Sequence, residues 1–307
     1  MENKQPILSI CIPIYNRLRY LERMLSRFAE DKELFDNEIQ LYISDNCSED
    51  DLKTCCDKYS QLGLRIEYNR NSENIGADGN FINCFHSAKG KYLWLLGSDD
   101  IPVRGFVRQL TKKLDDTDYG LVYIDAKNDY PEEITEYTDP NMIIKKINYY
   151  ITFMSANIIN TKSIGSIDLE QYRNTFLIQV PQFISASLLC SKNLYINWHN
   201  RFELETDSAN NGGYNFYKIF IVNLFNIIDD FVKDGKLKKG TLEYIKKREF
   251  KEFISSFNHT LLVKKSNTIL KNDGAYKILW KYYGNKPYAY WYTIKTELRF
   301  LKNRLFR

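Results

Sequence analysis

A chain of 307 residues is long enough to bury a full core and to carry an appended part beside it. With 44% hydrophobic and 27% charged residues it reads as globular rather than disordered, and a formal net charge of +4 is too small for a nucleic-acid-binding surface. No uninterrupted run of about 18 apolar residues occurs, so no membrane-spanning helix is expected.

Met1–Pro6 lacks the basic and apolar regions of a signal peptide, which makes the cytoplasm the expected location. Ile7–Ile14 is a short apolar run and reads as a strand. Arg17–Glu30 carries Leu18, Leu21, Leu25 and Phe28 at helical spacing. Ile39–Ser44 reads as a strand, Glu49–Leu62 as a helix with Ser48 as its cap, and Leu64–Tyr68 as a third strand. Asn80–Lys89 reads as a helix and Tyr92–Leu96 as a buried fourth strand. This alternation predicts an α/β, Rossmann-like domain with a mostly parallel, doubly wound sheet. Ligands of such sheets bind beyond the carboxyl ends of the strands. Tyr15–Asn16–Arg17, Asp45–Asn46 and Ser98–Asp99–Asp100 all fall there.

Past Pro102 the pattern weakens. Leu121–Asp125 is a further strand candidate, Tyr130–Pro140 reads as a charged loop, and Phe176–Cys190 is an apolar stretch broken by Pro181. Asn210–Gly213 is a turn signal. After it Tyr214–Val232, Thr241–Phe257 and Ala275–Tyr283 read as helices, which puts a boundary near residue 205. Cys47, Cys55 and Cys56 have no further ligand at metal spacing and are read as reduced thiols. His86, His199 and His259 form no triad or zinc pattern.

Four local patterns stand in order: Pro13–Ile14–Tyr15–Asn16, Asp45–Asn46–Cys47–Ser48–Glu49–Asp50, the segment Asn74–Asn80, and Leu95–Leu96–Gly97–Ser98–Asp99–Asp100. In order and spacing, over about residues 7 to 125, they resemble the nucleotide-binding half of family 2 inverting glycosyltransferases, which have the GT-A fold. The Gly97–Asp100 run and the Gly–Gly–Tyr segment near residue 213 are similar to the abequosyltransferase-like branch, whose members build bacterial surface polysaccharides. The resemblance implies that residues 1–205 form the nucleotide-sugar-binding and catalytic domain and 206–307 a helical C-terminal region.

The chemistry of each position agrees with that expectation. Tyr15 offers a flat face to a pyrimidine, and the Asp45 carboxylate can accept the imino hydrogen of uracil; by position it is the family's base-reading aspartate. The glycines of Asn74–Asn80 let backbone approach a ligand, and the segment is neither a dinucleotide fingerprint nor a P-loop. The implied nucleotide-binding set is Pro13, Tyr15, Asn16, Asp45, Asn74, Gly76, Ser98 and Asp99. The family pattern Asp-x-Asp-Asp implies Mg2+ or Mn2+ held by Asp99, with Asp100 as neighbour, while Gly97 stands where the first aspartate is usual. An inverting transferase also needs a carboxylate base. At the family's spacing the chain has Gln179–Val180–Pro181–Gln182–Phe183 instead, so Asp168 and Glu170 are the candidate bases, ahead of Glu203, Glu205 and Asp207, and Gln182 is a candidate acceptor contact.

Tyr282–Arg307 mixes aromatics with lysine and arginine, a composition suited either to the inner face of a membrane or to packing on a protein surface. The expected partners are a nucleotide-sugar donor, UDP-linked before CDP-linked, and a glycan or lipid-linked acceptor, with self-association also open. The competing readings are a catalytically degenerate sugar-nucleotide-binding protein and, more weakly, a nucleotidyltransferase, which usually needs a Gly-rich basic loop where Pro13–Arg17 stands.

Overall fold

The computed structural model describes residues 5–35, 37–125, 131–198, 201–203, 213–264 and 270–305. His199, Glu205, Asp207, Asn210–Gly212 and Phe306–Arg307 lie outside the described residues. The chain divides into two compact units, Met1–Ile143 with Ile151–Thr206, and Ile144–Tyr150 with Asp207–Arg307.

In the first unit β1 (Leu8–Ile14), α1 (Leu18–Ala29), β2 (Ile39–Asp45), α2 (Leu52–Gln61), β3 (Glu67–Arg70), α3 (Gly76–Ser87) and β4 (Tyr92–Leu95) follow in strict alternation. β1 pairs in parallel with β2, from Leu8 opposite Ile39 to Ile14 opposite Asp45, and with β4, Leu8 opposite Tyr92. These three strands are buried almost throughout, which is why they read as continuous apolar runs rather than alternating ones. The remaining elements are β5 (Ile101–Pro102), α4 (Phe106–Asp115), β6 (Leu121–Ile124), β7 (Glu133–Tyr137), α5 (Pro140–Ile147), β8 (Asn157–Asn160), α6 (Gln179–Leu189), β9 (Asn193–Asn197) and β10 (Phe202–Glu203). The main sheet has eight strands in the order β3-β2-β1-β4-β8-β6-β9-β7, and β10 pairs with β5 separately. The β1–β2, β1–β4, β2–β3 and β6–β9 pairings are parallel; β8 runs antiparallel between β4 and β6, and β7 antiparallel on the edge.

Four expectations are corrected. The stretch Tyr130–Pro140, read as a loop, contains β7, whose side chains alternate between half-buried and exposed. It is an edge strand, and charged residues suit an edge while hiding its apolar period. The third strand starts at Glu67, because Leu64 is already a buried core residue before pairing with β2 begins. The second helix starts at Leu52 and is capped not by Ser48 but by Asp51, whose carboxylate accepts from Thr54 N at 3.0 Å. Pro181 does not break the apolar stretch around it. It lies in the first turn of α6, where its missing N–H costs no helical bond.

Beneath β4, Trp94 packs against Phe106 and Phe202 at centroid distances of 6.0 and 6.1 Å, and Phe106 meets Trp198 edge-on. Trp94 is fully enclosed and its indole N–H donates to Ser155 O at 2.8 Å, so its burial, worth about 1.5–3 kcal/mol for a large side chain, leaves no polar atom unpaired. This cluster fixes the end of β4 against the segment before β8.

The second unit is helical. A π-type turn at Lys218–Asn223 leads into α7 (Leu224–Lys233). α8 (Lys239–Glu249) continues through π-type turns on either side of α9 (Ser255–Asn258), and α10 (Ala275–Tyr283) and α11 (Pro287–Leu305) follow. Phe216, Phe253 and Phe257 form its aromatic centre, with Phe216 and Phe257 stacked at 4.3 Å. Among the described residues no helix is long and apolar enough to cross a membrane.

Candidate functional site

The loops after β1 and β2 are laced together by hydrogen bonds. Asn16 takes a left-handed backbone, φ 51°, which asparagine tolerates better than most residues. Its N–H donates to Ser48 Oγ at 2.9 Å, its Oδ1 accepts from Glu49 N at 2.7 Å, and Leu18 N donates to Asp50 Oδ2 at 2.9 Å. Pro13 lies past the part of β1 that pairs with β4, where a missing donor is harmless. Beside it Tyr15 is 43% exposed, a ring free to meet a ligand.

Asp45 ends β2 with no solvent exposure. Ser48 N donates to its Oδ1 at 2.8 Å; the Tyr68 hydroxyl and Arg70 Nη1 donate to its Oδ2 at 2.6 and 3.2 Å. Burial, and then this bond to Asp45, push the Tyr68 phenol well above its usual range. Arg70 also donates to Ser48 O at 2.7 Å. Tyr68, Arg70 and residues 47–53 line a groove of about 730 Å³. A carboxylate offers about four acceptor directions, and three are filled here.

The Asn74–Asn80 segment is tied to β2 by side-chain amides. Asn46 Oδ1 accepts from Ile75 N and from Asn71 Nδ2, and its own amide donates to Asn74 Oδ1 at 2.8 Å. Asn80 exchanges bonds with Ser44, accepting from its hydroxyl at 2.7 Å and donating to its carbonyl at 2.9 Å. Gly76 sits at φ 74° with open space where a Cβ would be, so the constraint on it is backbone conformation and not crowding. Asp78, in the first turn of α3, is raised from the ordinary carboxylate range by burial, while backbone N–H groups of Asn174 and Phe176 donate to it.

At the end of β4 the chain turns, Asp100 N donating to Gly97 O at 3.1 Å. Ser155 Oγ accepts from Gly97 N at 2.9 Å and donates to Asp100 Oδ2 at 2.5 Å. Burial pushes Asp100 up to about 6, with the neighbouring Asp99 charge adding to the rise; the Ser155 bond and Arg17 oppose it. Asp99 pairs with Arg17, Oδ2 to Nη1 at 3.1 Å. A Cβ on Gly97 would lie 2.7 Å from Asp100 Oδ2 and 3.2 Å from Asp99 Oδ1, so both carboxylates converge over this glycine and occupy the space an aspartate there would need. Ser98 beside them is buried.

The remaining sequence candidates lie elsewhere. Asp168 and Glu170 are exposed. Asp168 Oδ1 accepts from Glu170 N at 3.0 Å. Glu170 is held by Arg173 and lowered from the usual range by that bond, which makes it a weaker proton acceptor. Gln182 is fully enclosed on α6, its amide donating to Ser163 O and Oγ at 3.0 and 2.9 Å, so it braces the segment after β8 and does not line an open surface. Glu203 is taken by Arg27 and Arg23. Sequence reasoning missed Tyr68, although it ended the third strand as read, and Arg70, which a boundary two residues later would have put at the strand end. It also missed Ser155, which no local signal marks.

Residues 9–168 match the family described as Glycosyl transferase family 2. Abequosyltransferase RfbV of Salmonella typhimurium is 38% identical over 110 residues, 36% of this chain and 33% of that protein, so the chain spans about a third of the length of this relative. The crystal structure of S. aureus TarS 1-349 in complex with UDP-GlcNAc aligns with a TM-score of 0.61 at 16% identity, over 90% of this chain and 80% of that one. The mannosyltransferase PcManGT from Pyrobaculum calidifontis, in complex with GDP-Man and Mn2+, aligns with a TM-score of 0.54 at 14% identity, over 97% and 87%. At these identities the two structures speak to the fold, and the fold they share with this chain is GT-A.

Proposed function

The chain belongs to glycosyl transferase family 2, and on that premise we propose that it transfers a sugar, with inversion, from a nucleotide diphosphate to a glycan or lipid-linked acceptor in the synthesis of a bacterial surface polysaccharide. The observation that carries this reading is the gathering of Tyr15, Asp45, the Asn74 loop and Asp99–Asp100 at the carboxyl ends of parallel strands.

In this reading Tyr15 stacks on the base, and the imino hydrogen of uracil reaches the buried Asp45 when the half-exposed Arg70 guanidinium swings away from Oδ2. Cytidine is the second choice of base. The Asn74 and Gly76 backbone lies against the nucleoside, braced by Asn46.

Two converging carboxylates fit Mg2+ or Mn2+, which are commonly held by one or two carboxylates with the substrate phosphates completing the shell. Among the described residues no cluster of three or more Asp, Glu, His or Cys could hold an ion without such help. When bound, the ion neutralises charge on the departing diphosphate. Arg17, at Asp99, supplies a further positive charge beside the same phosphates. For the acceptor proton Asp168 is the better of the two candidates, because no described guanidinium holds it.

A catalytically degenerate sugar-nucleotide-binding protein is the second reading, favoured by Gly97 in the metal motif and by the exposed positions of both candidate bases. The two share the binding step, which a melting experiment tests. At about a hundredfold excess over Kd a ligand stabilises by about 2.7 kcal/mol, so UDP or CDP should raise the melting temperature by several degrees while ADP and GDP leave it nearly unchanged. Equal shifts from all four would remove the pyrimidine assignment.

A further inference from the structure

One side of α11 packs on the unit: Thr296 Oγ donates to Ser255 Oγ at 3.1 Å, Ala289 is buried, Tyr288 meets Phe250 and Tyr283, and Phe300 stacks on His259 at 3.9 Å. The opposite side faces outward and carries large apolar residues as well. Trp291, Ile294, Leu298 and Leu301 recur at three- and four-residue spacing and are 63, 55, 60 and 54% exposed. On α10 Tyr276 and Trp280, one turn apart, are each 73% exposed, and they share with Tyr290 of α11 a groove of about 210 Å³.

Scattered apolar side chains on a surface are ordinary, but a contiguous strip of this kind marks a contact surface. Its charge identifies the partner. Between Ala275 and Leu305 the one acidic residue is Glu297, which is engaged by His259 at 2.7 Å. Beside Lys286, which pairs with Glu243, the same span carries Lys277, Lys281, Lys295, Arg299, Lys302 and Arg304. A second copy of this chain would bring the same positive charge to the contact. An anionic bilayer surface supplies the opposite charge, and its headgroup region is where tryptophan and tyrosine rings settle.

We propose that α10 and α11 form a peripheral docking surface for anionic lipid, with Trp280, Trp291, Leu298 and Leu301 entering the headgroup–acyl boundary and the lysines and arginines lying against lipid phosphates. The proposal deepens the functional reading by placing the enzyme where a lipid-linked acceptor resides, but lipid binding itself does not depend on catalysis.

The test is co-sedimentation of the full chain with vesicles of roughly one-third phosphatidylglycerol in phosphatidylcholine, beside pure phosphatidylcholine vesicles. The parent should partition onto the anionic vesicles and come off in high salt, with its tryptophan emission shifting to the blue. Trp280→Ser/Trp291→Ser/Leu298→Ser, all at exposed positions, should lower that partition by about tenfold or more and leave the melting shift with UDP intact. Equal sedimentation of parent and variant would overturn the proposal. So would a parent that ignores vesicles but dimerises in light scattering, with the variant monomeric, since the strip would then be a self-association face. Loss of the UDP shift in the parent itself would count against the glycosyl-transfer reading and leave lipid docking standing.

Discussion

Asp99→Asn should lower sugar transfer by about two to three orders of magnitude, the range seen when one charge-stabilising group is removed from a reacting centre. The variant keeps the shape of the loop and removes a negative charge that meets Arg17 at 3.1 Å and converges with Asp100 over Gly97. Donor and Mn2+ should bind the parent cooperatively, with a coupling of about 1–3 kcal/mol, and this coupling should vanish in Asp99→Asn. Asp100→Asn should do less damage, because Asp100 is already bonded to Ser155 and pushed up to about 6 by burial. The pH dependence follows in sign. Asp100 is neutral below about 6 and ionised above it, so the metal's effect on donor affinity should grow as pH rises through 6. Calorimetric titration of UDP with and without Mn2+, on the parent and both variants, measures all of this. Unchanged metal dependence in Asp99→Asn would rule out Asp99 as the ligand.

Asp45→Ala carries the largest expected loss of stability at the site. It strips the acceptor from Ser48 N, the Tyr68 hydroxyl and Arg70 at once. Arg70 is half exposed and can turn to water, so most of the cost comes from the other two donors and amounts to about 2–4 kcal/mol. The groove wall formed by Tyr68 and Arg70 should loosen with it, and the preference for UDP and CDP over purine nucleotides should be lost. Asp45→Asn keeps the volume and separates packing from charge. Urea unfolding reads the stability and nucleotide melting shifts read the preference. A folded Asp45→Ala protein that still selects pyrimidines would show that the base is read elsewhere.

The GT-A half was legible because parallel strands buried on both faces leave long apolar runs, as in Ile7–Ile14 and Tyr92–Leu96, and because each polar loop directly follows its strand in the chain. Legibility stopped where structure depends on distant partners. β7 is an edge strand whose glutamates hide the alternation, and β9, which joins β6 and β7, went unread. At the site, Ser155 reaches the Gly97–Asp100 turn from more than fifty residues away, and Asn71 braces the Asn74 loop only because β3 brings it beside Asn46. The C-terminal aromatics and lysines were visible as composition. Which side of α11 faces outward is settled by its packing on Ser255 and His259, because both sides carry large apolar residues.

Turnover of a nucleotide diphosphate sugar is read most directly as release of nucleoside diphosphate from a panel of UDP-, CDP-, GDP- and ADP-sugars by the full chain, with and without Mn2+, in the parent and in Asp99→Asn. Release is expected from one or more pyrimidine-linked sugars, stimulated by Mn2+ and lost in Asp99→Asn. Binding of UDP or CDP with no release from any sugar in the panel, even with lipid and glycan acceptors added, would contradict it and leave the non-catalytic reading in its place.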